Sequence, residues 1–262
     1  MNKAPTTTLA SGNNLSLCLI SFVATISLWP LMVMPIIVGA YIDYLGFDEG
    51  SAGWVSSANL AGIAIITLIV SLKTKHWPLE KVARIGLAAM IFLDIASLYF
   101  HSLTAFSFIR FLSGLAGAAT AAAIAHLEKP EKGYGIYIGF QFLLPAIAIY
   151  YLAQHLPSLG FNGMMYIIIL LEVVALCASS VFTQYPLNHN IAEIDRLESS
   201  IILQPPALLS LLSLCIYGAA TAAIWAYADR MGLAAGLSSL DTGNALSYIT
   251  AISISGALAV IF

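Results

Sequence analysis

Seven long apolar stretches, and the start of an eighth, occupy most of this sequence. A run of about 20 apolar residues is long enough to cross the hydrocarbon core of a bilayer as a helix. Only helices and closed barrels satisfy their own backbone hydrogen bonds there. The fold class that follows is all-α: a polytopic helical membrane protein. Composition supports this. The 262 residues are 60% hydrophobic and 9% charged, whereas a soluble domain carries about 25% charged residues. With a mean hydropathy of +0.91, the chain lacks the polar residues to cover a surface in water.

The expected helices run roughly over 15–43, 51–72, 81–101, 103–127, 134–156, 162–183, 207–230 and from 240 onward. The first contains Pro30 and Pro35, and proline kinks a helix by removing a backbone donor. A polar tail, residues 1–14, precedes it and shows no cleavable signal peptide. The linker 184–206 ends in two prolines. It divides a first six-helix bundle, 15–183, from an incomplete second bundle, 207–262. The run ALAVIF closes the sequence in mid-helix, which reads as the front part of something longer.

Charge sets the expected orientation. Lys73, Lys75, Lys81 and Arg84 flank the second connection, Lys129 and Lys132 the fourth, and Arg196 lies in the linker. The connections 44–50, 102 and 157–161 hold no lysine or arginine. Positive charge stays on the cytoplasmic side. The N-terminus and the linker are thus expected in the cytoplasm, and the protein in the plasma (inner) membrane.

Soluble-type chemistry has no support. HExxH, P-loop and GxSxG patterns are absent, and no basic block suggests nucleic acid. The histidines at 76, 101, 126, 155 and 189 are too scattered for a metal site. Cys18, Cys177 and Cys215 all lie in apolar runs, against a disulfide or zinc framework. Neither an enzyme nor a cofactor is expected; the lipid bilayer and a small solute are the partners.

Ionisable residues at membrane depth are costly and mark functional candidates. Asp94 lies eight residues before Ser102, and Arg110 eight after it. In a tight hairpin both side chains fall at one depth, about 12 Å below the turn at 1.5 Å per residue. One reading makes Arg110 a substrate-anion or proton-coupling group that Asp94 holds or releases. The other makes the two a static pair that neutralises itself. Glu172, midway along the sixth helix, is a candidate proton carrier or a protonated acid bonded to a neighbouring helix. Asn59 and Gln141 can bond a solute or join helices, and joining is the commoner use.

On the fourth helix, Arg110, Ser113, Gly114, Gly117, Ala118 and Ala121 share one face. After the arginine the face is small throughout, which allows close helix contact in lipid. The run RFLSGLAGAA resembles the fourth-helix motif of the major facilitator superfamily: arginine, two residues, a polar residue, glycine, one residue, then small-Gly-Ala. The segment SLKTKHWPLEKVARIG stands where that family has its basic loop between helices two and three, without its Gly-x-x-x-Asp-Arg-x-Gly-Arg pattern. Gly135, Gly139 and Pro145 are loosely similar to its Gly-Pro antiporter motif.

The resemblance implies two six-helix bundles rocking about a central site, a secondary transporter working by alternating access. It also implies that helices one and seven line the cavity. Trp29 and Trp225 lie on those helices, where they stack a planar substrate or simply pack. The same resemblance places helix six at the periphery, which favours the static reading of Glu172. Proton coupling would fall to Asp94 and Glu172, the titratable groups at depth. The competing reading is a non-transport membrane protein, a receptor or an assembly subunit.

A weak internal repeat completes the pattern. Tyr41-x-Asp43-x-x-Gly46 ends the first helix, and Tyr227-x-Asp229-x-x-Gly232 ends the seventh. The two aspartates read as solvated helix ends, with their repeated position as the argument for a gate.

Overall fold

The computed structural model describes residues 14–73, 79–121, 130–180 and 204–261. Residues 1–13, Lys75, Lys129, Arg196 and most of the linker lie outside the described residues, as do the side chains of Lys73 and Lys132.

Every described element is a helix: α1 (Asn14–Ser27), α2 (Trp29–Met32), α3 (Met34–Leu45), α4 (Glu49–Lys73), α5 (Leu79–Ala96), α6 (Leu103–Ala121), α7 (Pro130–Ala178), α8 (Pro205–Ala226), α9 (Ala228–Ala234) and α10 (Ser239–Ile261). Among the described residues, four spans are long and apolar enough to cross a membrane: Glu49–Val70, Leu103–Ala121, Tyr134–Ala178 and Leu208–Ala226. The third, at 45 residues, has the length of two crossings.

The first crossing is broken rather than kinked. Leu28 and Val33 leave helical geometry, and Pro30 and Pro35 sit in the first turns of the helices that follow. There proline removes only an N–H that had no helical partner. The fifth and sixth crossings run together in α7 and are separated by Gly160, with φ 62° and ψ −173°. Only glycine adopts that backbone readily. The seventh crossing breaks at Tyr227 between α8 and α9.

Local chemistry fixes the helix ends. Gly46, at φ 71°, closes α3 in the left-handed region, and its N–H bonds the Tyr41 carbonyl. Asp48 caps α4 by accepting the Ser51 N–H at 2.6 Å. That bond holds the exposed Asp48 carboxyl below the usual carboxylate range. Ser238 and Asp241 cap α10 reciprocally.

Helix α6 packs most extensively on α4 and α5 and also touches α1. Small residues make this possible. A Cβ added at Gly114 would lie 2.2 Å from the Asn59 carbonyl oxygen, and one at Gly62 would lie 2.1 Å from that of Phe111. One at Gly117 would lie 2.1 Å from the Ser27 carbonyl oxygen. Backbones this close are what small residues provide in lipid, where apolar bulk gives helices no preference for each other.

The later helices join the first six crossings in two places. Helix α10 packs on α7, with the Ser247 hydroxyl donating to the Ala146 carbonyl at 2.8 Å. Helices α8 and α9 meet α3 and α4 at the end marked by Gly46. Away from that end, α8 is almost wholly exposed along Leu208–Thr221.

Candidate functional site

The hairpin of α5 and α6 brings Asp94 and Arg110 together. Both are buried, at 0% and 2% exposed, and the guanidinium donates to Asp94 Oδ1 in a close ion pair. The same Nη2 donates to Ser97 Oγ at 2.6 Å, and Ser113 Oγ donates to Asp94 Oδ1 at 3.3 Å. Asn59 Nδ2 donates to the Arg110 carbonyl at 2.8 Å, tying α4 to the same turn.

Glu172 joins this pair. It is 0% exposed and its carboxyl lies against Asp94, with Arg110 in its field. The resemblance leads us to expect helix six at the periphery, yet this side chain turns inward. Three ionisable groups from three crossings therefore share one dry site. Neither Glu172 oxygen has a donor among the described residues, nor has Asp94 Oδ2, and Arg110 Nε has no acceptor.

An aromatic cluster covers the site on the Gly46 side. Phe106 lies one helical turn before Arg110, its ring centroid 5.7 Å from the guanidinium carbon. Tyr41 meets Phe106 edge-on at 5.1 Å and also faces Arg110. Phe161 stands 6.0 Å from Phe106, and His101 lies 6.1 Å beyond Phe161. Beyond these rings is a cavity of about 370 Å³ lined by Tyr44, His101, Gly160, Phe161 and Asn162 among others. The rings stand between that cavity and the charged trio.

Other sequence candidates lie elsewhere. Gln141 donates to the Tyr137 hydroxyl on its own helix. Trp29 is buried in the apolar core and Trp225 packs against its edge. Ser113, Gly114, Gly117 and Ala118 are all buried on the contact face of α6. No group of three or more His, Cys, Asp or Glu side chains suited to a metal occurs among the described residues.

A second charged cluster joins the two ends of the repeat. Arg230 grips Asp43 with both terminal nitrogens, at 2.9 and 2.6 Å. Its Nη2 also lies 3.3 Å from Asp229 Oδ2. The Tyr227 hydroxyl donates to the Glu49 carbonyl at 2.6 Å. The two glycines of the repeat differ in use: Gly46 makes a left-handed turn, whereas Gly232 makes room for Thr242.

Sequence reasoning passed over Ser97, Phe106 and Arg230. The first two had a signal, because Ser97 lies three residues after Asp94 and Phe106 four before Arg110 on the same helix faces. Arg230 had only its place inside the repeat.

A family model described as Major Facilitator Superfamily matches residues 15–262. The chain belongs to that superfamily. The comparison with curated proteins gives no match. Membership makes the chain an integral, multi-pass membrane protein of a secondary-transporter family whose members move small molecules through a lipid bilayer. The helical fold and the motif on α6 agree with it.

Proposed function

We propose that this chain carries a small solute by alternating access, coupled to protons through Asp94, Arg110 and Glu172. The observation that carries this reading is the meeting of all three ionisable groups in one buried site. Asp94 and Arg110 neutralise each other. An ionised Glu172 would add an uncompensated charge, which is costly at membrane depth. One proton shared between Glu172 and Asp94 Oδ2 removes that charge and supplies the hydrogen bond both oxygens lack. A second proton, taken up by Asp94 while Glu172 keeps the first, loosens the hold on Arg110 and leaves its cation for a solute anion. Tyr41 and Phe106 close the Gly46 side, so the proton enters from the opposite side in this conformation. Asn59 holds the backbone of Arg110, while Gln141, Trp29 and Trp225 are more distant candidates for the solute path.

The remaining assignments follow the positive-inside pattern. The N-terminus faces the cytoplasm, the membrane is the plasma membrane, and the Gly46 end faces outward.

Vesicles carrying the protein and an internal pH dye test the coupling. Addition of a transported small organic solute is expected to move protons in the wild type and none in Glu172→Gln. Solute uptake without proton movement in the wild type would remove the coupling and leave the transporter.

A further inference from the structure

We infer that the buried trio exchanges protons with the Gly46 side through the first bundle itself: His101 receives the proton in the outer cavity, and the Phe106 ring is the plug that must turn aside to let it pass. The inference rests on the proton-coupled reading above and supplies a route for that proton.

Distance to water favours this route. Arg110 lies eight residues inward of Ser102, and Glu172 eleven inward of Phe161, about 12 and 16 Å at 1.5 Å per residue. The hydrocarbon core is about 30 Å thick, so the trio is as near to the Gly46 end as to the opposite one. The side chains that face the trio come from the first bundle: Tyr41 on α3, Asn59 on α4, Ser97 on α5 and Ser113 on α6. A proton can therefore reach it without entering the space between the bundles.

A layer of rings stands in the way. Phe106 lies over the guanidinium of Arg110. Tyr41, Phe47 and Phe161 pack around it, with ring centroids at 5.1, 5.8 and 6.0 Å. Phe161 also lines the cavity, where the His101 ring meets it edge-on at 6.1 Å. Contacts thus run from His101 through Phe161 and Phe106 to Arg110. Phe106 is 0% exposed, and a phenyl ring carries no proton. Two hydroxyls flank the line. Tyr41 faces Arg110, and Ser107, buried one turn outward of Arg110, has no partner for its Oγ among the described residues. Water admitted beside a displaced Phe106 ring would find both.

The mouth holds one proton carrier. Tyr44, His101 and Asn162 are the polar side chains lining the cavity. The Tyr44 hydroxyl is committed to the Leu156 carbonyl, and an amide does not titrate. The exposed imidazole of His101 both takes and gives a proton. In the step, outside water protonates His101. The imidazolium passes that proton to water beside the displaced ring, and this water gives one to an Asp94 carboxylate oxygen. His101 ends neutral, and the trio gains one positive charge.

The test uses vesicles carrying the full chain and an internal pH dye, with an acid pulse outside and no solute. The trio reaches the opposite side in this conformation, so removing the plug completes a path. Phe106→Ala is expected to raise the proton leak at least threefold, and Phe106→Leu to raise it less; the latter serves if the alanine variant fails to fold. Leu87→Ala, which opens the core seven residues inward of Asp94, should leak no more than the wild type. Adding Glu172→Gln to Phe106→Ala should abolish the leak. Adding His101→Ala instead should slow it at least threefold, and external imidazole should restore it. Tight Phe106 variants, an equal leak in Leu87→Ala, or a leak that survives Glu172→Gln would overturn the route. A His101→Ala variant that leaks at full rate, or that imidazole does not rescue, would overturn the role of His101. Solute uptake without proton movement in the wild type would instead remove the coupling itself.

Discussion

Two arginine–aspartate pairs stand in this molecule, and their settings are opposite. Arg110 and Asp94 lie inside the first bundle, sealed by Tyr41 and Phe106 and accompanied by a third ionisable group, Glu172. Arg230 and Asp43 lie at a helix end, where the Asp43 side chain is 47% exposed. The same two functional groups do different work because water reaches one pair and not the other. The buried pair can bring in or give up a charge only with a proton or a counter-ion, which suits coupling. The end pair can part at little cost, because water solvates its groups.

The largest expected effect of breaking this contrast is at the buried site. Arg110→Met leaves Asp94 without its cation beside a second carboxyl. It should destabilise the folded protein by about 3–5 kcal/mol, as breaking buried pairs does; unfolding titrations in mixed detergent micelles measure this. Replacing both partners together, Asp94→Leu with Arg110→Met, should recover most of that loss while abolishing proton-coupled uptake. A double variant that retains proton-coupled uptake would reduce the pair to a static neutralisation.

Packing comes next. Gly114→Ala drives a methyl group against the Asn59 backbone, and overpacking of this kind costs about 1–3 kcal/mol. The same titration should show it, together with a loosened hold of Asn59 on the Arg110 turn.

Arg230→Gln is expected to destabilise the protein less than Arg110→Met does, because Asp43 stays half exposed and solvent weakens the pair. A stability loss as large as that of Arg110→Met would erase the distinction between the two pairs.

Asp48→Ala should give the smallest change. Its carboxyl is lowered in the folded state by the Ser51 N–H. Its stabilising contribution is therefore present above the unfolded-state value and disappears as pH falls through the folded-state value. The variant should lose that acid-side dependence and little else.

Much of this contrast was legible in the residues alone, unevenly. The equal spacing of Asp94 and Arg110 from Ser102 placed them at one depth, because a tight hairpin leaves little freedom. The small face of α6 likewise implied close helix contact. Glu172 was harder. In a helix apolar on nearly every side, periodicity does not tell the lipid face from the protein face, so only the packed bundle shows it turned toward Asp94. Pro30 and Pro35 announced bends, but the breaks at Leu28 and Val33 depend on how the short segments dock. Gln141 read as a solute or helix-joining group, yet it found a nearer partner one turn back on its own helix. Arg230 was hidden because its partner, Asp43, is remote in sequence, and only the repeat hinted that the two ends meet.

The measurement that tests the central claim most directly is difference infrared spectroscopy of the protein in nanodiscs across a pH titration. The account predicts one protonated buried carboxyl in the wild type, lost in Glu172→Gln and unchanged in Arg230→Gln. A wild-type spectrum without a protonated carboxyl, or one whose signal persists in Glu172→Gln, would contradict a proton held by Asp94 and Glu172.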